Sequence, residues 1–279
     1  LDGVHKSFLL MSISLTCIVF FISFLHAFVI NQYVSNERIQ TNLYYIAFLF
    51  PMTSLCALVG MMVPRAATFL YAVALVYLML CLFVCVSLLF NISGGRQQFC
   101  RTLYSSGRQL SLRVTPLCCF KSLPSIAPSE SNVRRVEWMV LQSPLLRLIL
   151  EAANVVVFLE INHRQHIWFL FSQLLGLLSM LFASYGCYIL VAACSCEVRP
   201  HRFLVLFRCV DIAQCLYTIQ KLSFDLAALA GLVRPDPLFS PSAKAQFWTS
   251  FMLTWEMLLM SCLLTYLLRP GQSSLLDKY

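Results

Sequence analysis

Seven apolar runs, each about as long as a bilayer is thick, dominate this sequence. A hydrocarbon core of about 30 Å needs roughly 20 mostly apolar residues at 1.5 Å each. The runs fall at about 8–30, 43–63, 66–90, 136–159, 166–194, 203–233 and 246–268. They fill most of the 279 residues and leave no room for a second soluble domain. Membrane strands would need alternating polarity over about 10 residues. Here the runs are continuous and Leu-rich, so helices are expected. The fold class is all-α: one polytopic seven-transmembrane-helix bundle over 1–279.

Composition agrees. The chain is 59% hydrophobic and 11% charged, with mean hydropathy +0.78. Soluble domains average about 25% charged residues. A water-soluble globule, a disordered chain and a secreted disulfide scaffold are therefore excluded. The chain opens at Leu1 without a methionine and reads as a fragment or an ordered core. Eight of the 13 cysteines lie inside apolar runs, where Cys behaves as a small hydrophobe. No zinc spacing is present, so neither a metal nor a disulfide framework is expected.

Net charge is +8. Lys and Arg concentrate in cytoplasmic segments of membrane proteins. With the N-terminus outside and the C-terminus inside, twelve Lys/Arg fall inside, five outside and three within spans. The sequon Asn91-Ile92-Ser93 then faces the cytoplasm and is expected to be unmodified. The long segment 91–135 is a basic cytoplasmic loop with seven Lys/Arg and one acid, Glu130. It suits attraction to anionic membrane lipids better than nucleic acid binding. Within it, Cys118 and Cys119 lie near the inner leaflet, and both S-palmitoylation and free thiols suit them.

Charges inside spans are the candidate functional residues, because each costs at least about 2.5 kcal/mol to insert. Span 6 carries Arg208, Asp211, Gln214, Thr218, Lys221 and Asp225. At about 100° per residue all six share one stripe about 140° wide. Span 4 repeats this with Ser143, Arg147, Glu151 and Asn154. Span 7 adds Glu256, which finds a basic partner on span 4 or 6 or is protonated. Two readings follow. The pairs Arg147–Glu151, Arg208–Asp211 and Lys221–Asp225 hold the bundle together, or the stripe lines a pathway. His26 in span 1 suits a satisfied interior histidine. No protease, hydrolase, nucleotide or dinucleotide motif occurs, so neither an enzyme nor a cofactor is expected.

The run 47–51 with Pro51, then Ser54-Leu55-Cys56, then Gly60-Met61-Met62-Val63-Pro64-Arg65-Ala66-Ala67, resembles the second span of organic solute transporter alpha subunits. The similarity continues through Tyr77, Cys81-Leu82-Phe83, Gly94-Gly95 and Arg101-Thr102-Leu103. The family's cysteine run is reduced here to Cys118-Cys119, and its acid after Pro-Arg is replaced by Tyr71-Ala72.

The resemblance implies a facilitative transporter subunit for amphipathic organic anions, such as bile acids, steroid conjugates and lipid-like solutes. It implies a single-pass beta subunit, a dimer of heterodimers, and residence in the plasma membrane, with endoplasmic reticulum and endosomal membranes as further sites. Arg147, Arg208 and Lys221 are then expected to contact the anion, with Asp211, Asp225, Glu151 and Glu256 as counter-charges. The competing reading is a seven-helix receptor or signalling scaffold working through 91–135.

Overall fold

The computed structural model describes residues 3–114, 124–161, 166–194, 200–234 and 240–267, together with Leu275. The helices are α1 (Gly3–Tyr33), α2 (Glu37–Ala47), α3 (Leu49–Met62), α4 (Ala67–Ile92), α5 (Arg96–Ser105), α6 (Glu130–Ile161), α7 (Ile167–Ala193), α8 (Phe203–Leu229) and α9 (Pro241–Leu267). Strands β1 (Leu110–Ser111) and β2 (Ser125–Ile126) form a short antiparallel ribbon.

Among the described residues, six helices are long and apolar enough to cross a membrane: α1, α2–α3 taken together, α4, α7, α8 and α9. Helix α6, at 32 residues, is not in that set. Apolarity alone thus supports six of the seven expected spans. The arrangement of α6 is nevertheless inside-out. Ser143, Arg147, Glu151 and Asn154 are buried, while Trp138, Leu145, Ile149 and Val156 form an exposed stripe. In water that stripe would be hidden.

The expected second span is a broken helix. Pro51 cannot donate to the carbonyl four residues back. The Ser23 hydroxyl of α1 donates to that Ala47 carbonyl at 2.9 Å. The Tyr77 hydroxyl of α4 donates to the neighbouring Tyr45 carbonyl, also at 2.9 Å. Side chains from two other helices thus satisfy backbone groups at the break.

Helix ends differ from the expected spans for local reasons. Helix α8 stops at Leu229, four residues early, because Gly231 turns left-handed at φ +72°. Its N–H bonds Ala228 O, and the Leu232 N–H bonds Ala227 O, which closes the end. Gly94, at φ +77°, ends α4 in the same way. Helix α9 starts five residues before the apolar run, with Pro241 in its first position and Ser240 accepting from the Ala243 N–H.

The segment 91–135 is more than a polar loop. Its helix α5 buries Phe99, Cys100 and Leu103 against the bundle. Arg96 of α5 pairs with Glu137 of α6. The Tyr185 hydroxyl of α7 ties down the ribbon by donating to the Leu112 carbonyl at 2.7 Å. Cys118 and Cys119 lie outside the described residues.

Candidate functional site: a polar cavity beside an apolar groove

The ends of five helices, α4, α6, α7, α8 and α9, meet around a polar cavity of about 60 Å³. Its polar wall residues include Tyr71, Glu151, Asn154, Gln173, Lys221 and Asp225, with Phe169, Leu170, Ala228 and Leu229 giving it an apolar side as well. The helical period brings Lys221 and Asp225 to one face of α8, one turn apart. The Lys221 ammonium lies 2.6 Å from Asp225 Oδ1 and 2.7 Å from Oδ2. Gln173 of α7 donates to Oδ2 at 2.5 Å. Lys221 also sits 5.5 Å from the centre of the Tyr71 ring, which stacks on Tyr217 with centroids 5.0 Å apart. The cation is thus held by a carboxylate on its own helix and an aromatic face from α4.

Glu151 and Asn154 complete the opposite wall from α6. Asn154 Nδ2 donates to Glu151 Oε2 at 3.2 Å, and Trp168 Nε1 donates to Asn154 Oδ1 at 3.1 Å. Glu151 Oε1 lies 3.7 Å from Arg147 Nε. Arg147 is only 2% exposed and does not line the cavity. Its guanidinium fills a notch on α7 left by Gly176: a Cβ there would fall 1.7 Å from Nη1.

Behind Glu151 the surface changes character. A groove of about 410 Å³ runs between α4 and α6, lined by Met52, Phe69, Ala72, Val73, Val76, Tyr77, Leu80, Leu148, Ala152 and Val155. Among the described residues, Glu151 is the one on the walls of both spaces. The volumes decide what each can hold. Drug-sized ligands occupy about 300–1,000 Å³. The polar cavity admits a head group or a few waters, and the groove admits a ring system or chain.

The expected stripe on α8 divides. Asp211, Gln214, Thr218 and Lys221 are buried, and Asp225 is half-buried. Arg208 is exposed, on the same outer face as Ile212 and Ile219. It does not pair with Asp211, which accepts instead from Ser184 at 2.7 Å and Tyr188 at 2.8 Å. Arg208 is six residues inside α8, close enough to its end for the long side chain to reach the interface.

Deeper in the bundle, Gln214 and Ser143 both donate to the Met79 thioether of α4, at 3.2 and 3.3 Å. Glu256 has an amide partner rather than a basic one, with Gln220 Nε2 donating at 3.1 Å. His26 pairs with the Thr265 hydroxyl at 2.7 Å. The motif residues Pro51, Gly60, Pro64 and Arg65 are structural here. Gly60 faces Ala67 of α4 at a distance that would also accept a methyl group, and Pro64-Arg65 make the turn between the helices.

Tyr71, Gln173 and Trp168 are site residues that charge counting missed. Each is polar within or at the edge of an apolar run, a weak signal because hydroxyls and amides often serve helix packing. Among the described residues no cluster of three His, Cys, Asp or Glu side chains suits a metal.

A bundle of long helices with lipid-facing apolar stripes and buried charges around a cavity defines a polytopic membrane protein of the solute-handling kind. The chain belongs to the organic solute transporter alpha family: the family model described as "Organic solute transporter Ostalpha" matches residues 8–272. It is 48% identical over 277 residues to organic solute transporter alpha-like protein 1 of Caenorhabditis elegans, covering 99% of this chain and 72% of that protein. It is 34% identical to alpha-like protein 3 of the same organism, covering 95% and 77%. Alpha-like protein 2 is 26% identical, covering 91% and 75%. No solved structure matches this chain.

Proposed function

We propose that this chain is the seven-helix subunit of a facilitative transporter for amphipathic organic anions. In this reading α6 is the seventh crossing, with its charges turned inward and its Leu, Ile, Val and Trp side chains turned to lipid. The N-terminus is outside and the C-terminus inside, with the polar cavity at the outer end. A single-pass beta subunit completes the transporter in the plasma membrane, as a dimer of heterodimers. Bile acids, steroid conjugates and lipid-like anions are the substrates, moving down their gradients.

The observation that carries the reading is the shared wall at Glu151. A small polar cavity holding Lys221 adjoins an apolar groove about seven times larger. That is the division an amphipathic anion needs, with the head group among charges and the body against Val73, Val76 and Val155.

The experiment is efflux of labelled taurocholate and estrone sulfate from cells expressing the chain, with and without a candidate beta subunit. Flux that needs both chains and drops at least ten-fold in Lys221→Leu supports the reading. Absence of flux with both chains at the surface overturns the substrate class.

A further inference from the structure

The two buried ion pairs on α6 and α8 are built differently. Lys221 and Asp225 are in bidentate contact at 2.6 and 2.7 Å, and Gln173 adds a third bond to the carboxylate. That pair is closely matched. Arg147 and Glu151 meet at one point, 3.7 Å apart. Arg147 Nε, Nη1 and Nη2 have no hydrogen-bond partner among the described residues. A guanidinium offers five N–H donors, and leaving them unmet at 2% exposure is costly. Arginine in such a place is suited to receive a carboxylate or sulfonate in a two-pronged contact.

The ion-pair partner of Arg147 is a wall residue of both spaces. Arg147 lines neither the cavity nor the groove, whereas Glu151 lines both. The second oxygen of Glu151 is already held by Asn154, which is part of the cavity wall. Movement of the Glu151 carboxylate toward Asn154 would uncover Arg147 and bring that charge into the cavity that contains Lys221.

We propose that Arg147 is an exchangeable anion site and that Glu151 is its built-in competitor, displaced when the carboxylate or sulfonate of a solute reaches the junction of cavity and groove. The proposal deepens the transport reading and rests on it for the solute. Lys221, already in bidentate contact with Asp225, adds its positive charge to the same cavity without giving up its own carboxylate. Binding one anion requires the release of another, which weakens affinity and prevents the solute from being trapped on a buried arginine.

Two measurements on the purified chain test this. In the first, Glu151→Ala is melted in sodium acetate and in sodium chloride at equal concentration. Acetate supplies the missing carboxylate and is expected to raise the melting temperature by several degrees. It should leave wild type and the double variant Arg147→Leu/Glu151→Ala unmoved. In the second, labelled taurocholate is expected to bind Glu151→Gln at least ten-fold more tightly than wild type, and Arg147→Leu at least ten-fold more weakly. Equal melting of Glu151→Ala in the two salts, with unchanged taurocholate affinity in Glu151→Gln, overturns the exchange site. If acetate rescues Glu151→Ala but no variant binds taurocholate, the exchange site stands and the bile-acid reading falls.

Discussion

Gly176 and Arg147 are two halves of one contact. The guanidinium takes the volume that any side chain at position 176 would fill, with Nη1 1.7 Å and Cζ 2.5 Å from where a Cβ would stand. Gly176→Ala is therefore expected to expel Arg147 from its notch. Overpacking costs about 1–3 kcal/mol, and a displaced buried charge adds to it. Thermal unfolding in detergent should show the loss, and Arg147→Leu in the Gly176→Ala background should recover part of it. Equal stability of Gly176→Ala and wild type would show that the helices can part without cost.

Removal of one partner from a buried ion pair costs more than removal of both. Lys221→Leu leaves Asp225 with only the Gln173 amide, and about 3 kcal/mol of destabilisation is expected. The double variant Lys221→Leu/Asp225→Leu should be more stable than the single one. Chemical denaturation of the four proteins forms a double-mutant cycle, and additive losses would mean that the pair is not coupled.

The break after Ala47 predicts a second cycle. Ser23→Ala removes the donor to the carbonyl that Pro51 leaves unmet, and about 1 kcal/mol should be lost. Pro51→Ala restores a backbone donor, so Ser23→Ala should cost much less in that background. The same cost in both backgrounds would separate Ser23 from the proline.

The groove can be filled without touching a charge. Val76 lies half-buried on its α4 wall, and Val76→Trp adds bulk inside the space. Taurocholate efflux is expected to fall at least five-fold, with surface expression and melting temperature unchanged. Full efflux through the filled groove would send the apolar body of the solute elsewhere.

Orientation has a direct readout. An epitope placed ahead of Leu1 should stain on intact cells, and one placed after Tyr279 only after permeabilisation. Asn91 should carry no glycan, so a glycosidase should not shift the mobility of the chain. The opposite staining pattern would reverse the placement of the cavity.

Much of the fold is legible along the chain because a bilayer imposes length and apolarity on each crossing, both of which are local quantities. The helix positions, the polar face shared by Asp211, Gln214, Thr218 and Lys221, and the i,i+4 pairing of Lys221 with Asp225 all follow from periodicity within one helix. Pro51, Gly94 and Pro241 mark breaks and ends through their own backbone chemistry. Family membership was legible in the Gly60–Pro64–Arg65 run.

What one helix cannot reveal is which neighbour it meets. Arg208 shares the charge pattern of its helix, yet it faces outward, because the bundle gives Asp211 to Ser184 and Tyr188. Among the described residues Glu256 meets an amide rather than a base, because Gln220 on α8 is the group across the seam. The seat of Arg147 depends on Gly176, 29 positions away on another helix. The position of Glu151 between a polar cavity and an apolar groove exists only when α4, α6, α7, α8 and α9 converge. Local chemistry along the chain is enough for a helical membrane bundle and for the residues whose burial demands compensation. Packing between helices decided which of them found close partners, as Asp211 did on α7, and which, like Arg147, kept donors to spare, because contacts between helices depend on distances in space that no periodicity encodes.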